Sequence, residues 1–393
     1  GTRAANGAII ITTKTGKSLK GKKTEIIVSS AYNLESILKL PDYQNEYGQG
    51  GQGAPDSREN FSWGPRFDGS MRPWGQQIGD SQRVKPYVGL KNNVKEFFDI
   101  GRTMTNNVSF AQNNEKNSYF LSFNNIDQKG IMPGTEYRRN SVKLSGTADL
   151  TDKLYSSASI NYIRSKGDLS IQGQGNSPYD QVLQTPRDIS LLELKDYKNK
   201  FNDLNGYYGA YTVNPWYYLG EDSYTSVVDR ILGNVQLGFK PVKWIDISLR
   251  VGSDVSNDKR IQIESKRVID PNSQNFARKF DGHYAETGIN IREFTSDLIA
   301  TAKRDLTQDL SLSVLLGHNI RQRNVDIQFS EINSLTIPFY YNLANSAQPP
   351  RSTNFNSIRR LYGVYSDVNL SFRNYLFLGI TGRNDWSSTL PKG

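Results

Sequence analysis

Gly16-Lys17-Ser18-Leu19-Lys20-Gly21-Lys22-Lys23 sets its glycines and a lysine at the spacing of a phosphate-binding loop. Such a loop cradles phosphates with backbone N–H groups and ends in a hydroxyl that reaches Mg²⁺. Here that last position is Lys23, and Thr24–Ala31 reads as a strand where a helix would have to start. Gly48-Gln49-Gly50-Gly51-Gln52-Gly53 is glycine-rich, but it neither follows a strand nor opens a helix, so it reads as a flexible loop. The two histidines, His283 in an expected loop and His318 in an expected strand, lack ligand spacing for zinc. There is no Gly-x-Ser-x-Gly elbow, and adjacent acids such as Glu221-Asp222 carry no glycosidase geometry by themselves. Cysteine is absent, which removes thiol chemistry and disulfides. The expectation is a protein without catalytic residues, metal ligands or cofactor, and not an enzyme.

The elements around these residues are more informative. Hydrophobic residues make up 36% of the 393, and no stretch approaches the roughly 18 apolar residues of a membrane helix. A membrane-spanning strand needs only ~9–11 residues, half of them apolar. From Val142 to Leu150 one parity reads Val142, Leu144, Gly146, Ala148, Leu150 and the other Ser141, Lys143, Ser145, Thr147, Asp149. The same alternation recurs in Leu154–Tyr162, Ile231–Phe239, Ile245–Val251, Leu310–Leu316 and Tyr362–Phe372. Period two puts one set on each face of a strand. Any single run of this kind also fits an ordinary antiparallel sheet.

The connections tilt the balance toward a barrel. Eleven such runs are joined by short links at Asn113–Lys116, Thr151–Asp152, Pro241–Val242, Asp305–Asp309 and Arg373–Asn374. Long links alternate with them at 35–103, 128–136, 167–224, 257–288 and 325–357. In an up-and-down sheet every second link lies at the same end, so one end carries tight turns and the other long loops, as in outer-membrane barrels. The expected fold is all-β, an antiparallel up-and-down transmembrane β-barrel with about half its strands present. Tyr119, Tyr155, Tyr162 and Tyr375 are candidates for interfacial girdles. The net charge of +9 is spread over loops and polar strand faces, which argues against nucleic acid as a partner.

Three segments resemble the SusC/RagA-like family of TonB-dependent outer-membrane transporters of Bacteroidetes-type bacteria. Ala4-Ala5-Asn6-Gly7-Ala8-Ile9-Ile10-Ile11-Thr12-Thr13-Lys14-Thr15-Gly16-Lys17 resembles the end of that family's plug domain. Leu40-Pro41-Asp42-Tyr43 with Tyr47-Gly48-Gln49-Gly50 resembles the stretch after the first barrel strand. Gly382-Arg383-Asn384-Asp385-Trp386-Ser387-Ser388-Thr389-Leu390-Pro391 resembles a mid-barrel strand running into an outer loop. The resemblance implies an internal fragment, with residues 1–17 a short plug-domain remnant and residues 18–393 the first half of the barrel. It also implies glycan or peptide uptake across the cell outer membrane, powered through TonB, under a SusD-like surface lipoprotein. An adhesin-type outer-membrane barrel is the alternative, and a soluble all-β binding module the third reading.

Recognition is expected in the long links. The 167–224 link carries Tyr207, Tyr208, Tyr211 and Trp216, with Tyr217 and Tyr218 beside them, and the 35–103 link carries Trp63 and Trp74. Aromatic faces stack on sugar rings or bury large area against a protein partner at small entropy cost. The same residues also serve to pack loops against each other. A short helix is expected within Leu183–Leu194, and Ala8–Thr13 is expected to be a loosely held strand.

Overall fold

The computed structural model describes residues 23–175 and 177–390. The expected plug remnant, the strand at Ala8–Thr13 and all of the phosphate-loop-like segment except Lys23 lie outside them.

Eleven strands form one continuous antiparallel sheet: β1 (Thr24–Glu35), β4 (Gly101–Asn113), β5 (Asn117–Lys129), β6 (Glu136–Asp149), β7 (Leu154–Leu169), β8 (Ser223–Phe239), β9 (Ile245–Glu264), β10 (His283–Asp305), β11 (Leu310–Ile332), β12 (Arg351–Phe372) and β13 (Leu376–Ser387). A separate hairpin, β2 (Met71–Ile78) with β3 (Ser81–Pro86), and three short helices, α1 (Asn93–Phe97), α2 (Pro178–Leu183) and α3 (Pro215–Glu221), lie in the long links. Each strand pairs with the next along the wall, as an up-and-down barrel requires. No helix among the described residues is long and apolar enough to cross a membrane.

The tight turns are set by local chemistry. The Asn114 carboxamide accepts from the N–H groups of Lys116 and Asn117, and the Thr151 hydroxyl accepts from that of Leu154. Arg373 and Asn374 both take positive φ, 49° and 58°, the geometry of a two-residue hairpin matched to strand twist.

The apolar parity is turned to the surroundings. Val142, Leu144, Ile160, Val235, Leu237, Ile247 and Leu249 are all exposed. On the opposite face the small residues Ser109, Ser118, Ser145 and Gly238 are buried. A flat sheet would leave serines more open than leucines. Crowding on the polar face therefore means that the sheet curves toward it, with the apolar face convex. Lys143, Asn234, Gln236, Asp246 and Arg250 share that polar face; Arg250 donates to Gln236 (3.0 Å) and the Tyr155 hydroxyl to Asp246 (2.8 Å). Tyr155 is thus no girdle residue: it lies inside, over Gly238, where a Cβ would fall 2.0 Å from its ring. Tyr119 and Tyr375 stand exposed near the tight-turn end, while Tyr162, Tyr362 and Trp386 stand exposed toward the other.

Register fixes the slope of the wall. One row of directly opposed residues runs Ser30, Asn106, Asn125, Asn140, Arg164, Asp229, Asn257, Asn290, Asp326, Asn356. Seven residues separate Asn106 from the turn end at Asn113, and sixteen separate Asn356 from that at Phe372. The turns therefore retreat from the row by about one residue per strand. With ~3.3 Å rise per residue and ~4.8 Å between strands, the strands tilt by roughly 35–40°, the tilt of a barrel.

The strands outrun the expected boundaries. The 257–288 link shrinks to 265–282 because β9 continues to Glu264 and β10 starts at His283, and the 325–357 link shrinks to 333–350. His283 is accordingly a strand residue. These extensions carry polar residues on both faces, Asn257-Asp258-Lys259-Arg260 for example, so the alternation that marks a strand in lipid stops while the hydrogen-bond ladder continues.

Candidate functional site

The long links do not hang free. Together they build a cap over one end of the wall, and the cap holds most of the buried apolar side chains of the described residues. Its central cluster joins Val94 and Phe97 of the first long link with Val182, Ile189, Leu191, Leu194, Tyr207, Tyr208 and Trp216 of the third. Two helices are placed by their caps. The Ser177 hydroxyl accepts from Asp180 N–H and Pro178 opens α2; the Asn214 carboxamide accepts from Trp216 N–H and Pro215 opens α3. Such caps satisfy donors that the first turn leaves unpaired, and proline costs nothing at the first helical position. The helix expected within Leu183–Leu194 instead ends at Leu183, and only a short 3₁₀ turn at Glu193–Lys195 follows.

Polar side chains staple the links to one another. Arg187, nearly fully buried, donates to the backbone carbonyls of Gln44 and Leu90 and to Asn45 Oδ1. Its guanidinium also lies 4.6 Å from the ring centre of Tyr43. Asp188 accepts from Gln49 N–H at 2.8 Å, and Lys85 donates to the Asp188 carbonyl. Gln76 donates to the carbonyls of Asn205 and Tyr207 and accepts from Gln274 N–H, tying three links at one side chain. The glycine run 48–53 is part of this fabric, contrary to its expected flexibility. Gly50 pairs with Phe61 and Trp63, has φ of 127°, and would set a Cβ 2.1 Å from the Ala54 carbonyl. Those glycines permit close backbone approach.

A second network anchors the cap to the strand ends. The Asp222 carboxylate, just before β8, accepts from the N–H and hydroxyl of Ser265, just after β9, and the Ser265 oxygen lies 3.0 Å from the Tyr217 hydroxyl, from which it can accept. Burial pushes the Asp222 carboxyl up to about 6. His283 at the start of β10 lies between Glu264 (3.4 Å) and Glu331 (3.3 Å), and Glu331 also pairs with Arg351 (3.1 Å). The hydrogen bond to Glu264 holds the imidazole pKa above its usual value, and the same bond holds the Glu264 carboxyl below its own.

The expected recognition residues separate into two groups. Tyr207, Tyr208 and Trp216 are within the cap core, at 1%, 1% and 9% exposure, and the Trp216 indole donates to the Leu191 carbonyl at 2.7 Å. Burial pushes the Tyr208 phenol up to about 12 and raises that of Tyr207 as well, so both stay neutral. Their contacts are with one another, with the rest of their own link and with neighbouring links, as for Tyr217 and Tyr218. Trp63 and Tyr211 remain exposed, at 60% and 55%. They are carried on adjoining pieces of chain, because Gly209 and Ala210 donate to the carbonyls of Ser57 and Arg58, and the Tyr211 hydroxyl donates to Glu59. Trp74 is half-buried, packed on the core, with the Arg83 guanidinium and the Lys85 ammonium over its ring. It borders a cleft of about 370 Å³ lined also by Glu193, Asp196, Asn199 and Asn202. Sequence reasoning missed those polar residues, which are ordinary loop residues until the fold gathers them. Among the described residues no cluster of His, Asp and Glu is arranged to hold a metal ion.

No family model matches the chain. It is similar to two TonB-dependent receptors of Formosa agariphila, one 22% identical across 99% of this chain and 37% of the relative, the other 26% identical across 38% and 13%. Among solved structures it is similar to the RagAB peptide importer in its open-open and closed-closed states, with TM-scores of 0.72 and 0.71. Each match is 17% identical and covers 99% of this chain and 44% of the solved one. The fold is that of the RagAB barrel, and along almost its whole length the chain is similar to a TonB-dependent receptor. It spans well under half the length of the receptors it matches.

Proposed function

We propose that this chain supplies part of the wall and the outer cap of an active importer for oligosaccharides or peptides. Transport is powered through TonB, and a SusD-like lipoprotein closes over the cap. In this reading residues 1–17 end the plug domain and residues 18–393 form the first half of the barrel. The observation that carries it is the asymmetry of the wall: an apolar convex face for lipid, a polar concave face for a water-filled path, and a packed cap at one end. Similarity to TonB-dependent receptors and to a peptide importer supports it. Trp63 and Tyr211, with Trp74 and its cleft, are the surface offered to cargo or lid; Tyr207, Tyr208 and Trp216 hold that surface in shape. The test uses the full-length protein in its host, comparing growth on single glycans and on peptides with and without the gene. Combined alanine substitution of Trp63, Trp74 and Tyr211 is expected to lower uptake or lipoprotein retention while barrel assembly is unchanged. Normal growth of the deletion strain on every such source, with loss of surface adhesion instead, favours the adhesin reading.

A further inference from the structure

The concave face carries a row of arginines whose partners are uneven. Arg230 forks onto Asp254, Arg383 onto Asp385 (2.8 and 2.7 Å), and Arg321 onto Glu293 (2.8 and 2.8 Å). Arg323 of β11 and Arg359 of β12 are directly opposed in register, with Glu293 as the opposite neighbour of Arg323 on β10. Glu293 is already engaged by Arg321. Among the described residues no side-chain hydrogen bond or ion pair engages the guanidinium of Arg323 or of Arg359, although both backbones belong to the strand ladder. Like charges directly opposed across a strand pair destabilise it. Two guanidinium groups are thus held together on the same face, each with its donor fork free.

They line a hollow of about 420 Å³ with Arg321, Ser387, Thr389 and the apolar Leu361 and Leu390; Asp385 also lines it, with both carboxylate oxygens bonded to Arg383. On β12 Arg359 lies beyond Tyr362, toward the long-loop end, so the hollow opens near the outer mouth of the lumen. Planar forks match a carboxylate with two parallel hydrogen bonds, and an ammonium does not. We propose that Arg323 and Arg359, supported by Arg321, form a clamp that takes a carboxylate at the lumen mouth. The carboxylate comes either from passing cargo or from an acidic side chain in another part of the whole protein. A carboxylate there relieves the repulsion between the opposed arginines, while the leucines cover the aliphatic carbons behind it.

This inference rests on the reading of the concave face as a transport path. That reading is tested by uptake in cells and this one by binding to purified protein, so the two failures are separable. The probes are labelled tetraglutamate and tetraglutamine, titrated at low salt against the full-length protein in detergent. A cargo clamp predicts at least tenfold tighter binding of tetraglutamate, abolished in R323Q/R359Q and only partly kept in R323K/R359K, with tetraglutamine unaffected. The lysine variant retains the charge and so controls for assembly of the wall. If the carboxylate is internal, the wild type does not discriminate between the probes, but R323Q/R359Q exposes a new trypsin-sensitive segment that the lysine variant protects. No discrimination and an unchanged cleavage pattern in both variants overturn the clamp.

Discussion

The wall and the cap contrast in where their apolar side chains go. In the wall, Val235, Leu237 and Leu249 point outward and stay exposed, as on the lipid-facing side of a membrane barrel. In the cap, Leu191, Val182 and Trp216 are buried against one another and against Val94 and Phe97 of the first long link, as in a water-soluble domain. The wall is held by backbone ladders between adjacent strands, and its face residues face lipid or lumen. The cap has little regular structure and depends on side-chain packing and on staples such as Arg187 and Gln76. One polypeptide thus solves two solvent problems, and a change harmless in one region is damaging in the other.

The sharpest test of that contrast is Trp216→Ala. Emptying a buried aromatic site typically costs ~3–5 kcal/mol. Here the cap should become protease-sensitive and exchange its amides quickly, while the barrel keeps its heat-modifiable migration on gels. Loss of both together would show that cap and wall fold as one unit. Next in size is Val235→Arg on the lipid face, expected to cost about 2–4 kcal/mol near the bilayer centre. The neighbouring Asn234→Arg on the concave face should cost close to nothing, and equal effects of the pair on unfolding in lipid vesicles would contradict the assigned facing.

Two pH tests address the joint between the regions. Burial raises the folded-state pKa of Asp222 from 3.8 to about 6, so its contribution is fully present below about pH 4 and is lost as pH rises through 6. The loss is on the order of 2–3 kcal/mol, and Asp222→Asn should flatten cap stability over that window, read by proteolysis. A smaller effect belongs to His283, whose pKa is raised by Glu264 and Glu331. Its stabilisation is complete below pH 6.5 and declines as pH climbs through the folded-state pKa. His283→Gln should remove that decline; an unchanged alkaline profile would mean the imidazole is not what titrates there.

The wall was legible because lipid imposes a period. The run from Val142 to Thr147 follows it, and tight turns at Asn114 and Arg373 announce themselves. The strand ends above the apolar band were not legible, because Asn257–Arg260 alternates nothing. The cap was largely invisible: Leu191 and Trp216 are buried by partners far along the chain, and no periodicity records that. Some of its signals were present and local, namely Ser177-Pro178 and Asn214-Pro215, which mark helix starts. The aromatic richness of the 167–224 link was visible, but burial of Tyr207, Tyr208 and Trp216 depends on contacts that composition does not encode. The unmatched arginines at 323 and 359 became meaningful only once register set them opposite each other.

The register row from Ser30 to Asn356 has a geometric sequel. Since the turns fall away from it by about one residue per strand, the row is a ramp around the barrel. Between Asn106 and Asn356 it gains on the order of 25 Å in height, close to the thickness of the apolar band. Asn106 and Asn125, hydrogen-bonded side by side, lie at bilayer depth, whereas Asp326 and Asn356 stand clear of it. Spin labels placed along this single row should therefore report a graded series of immersion depths, from oxygen-accessible at Asn106 to water-accessible at Asn356, like marks on a spiral stair.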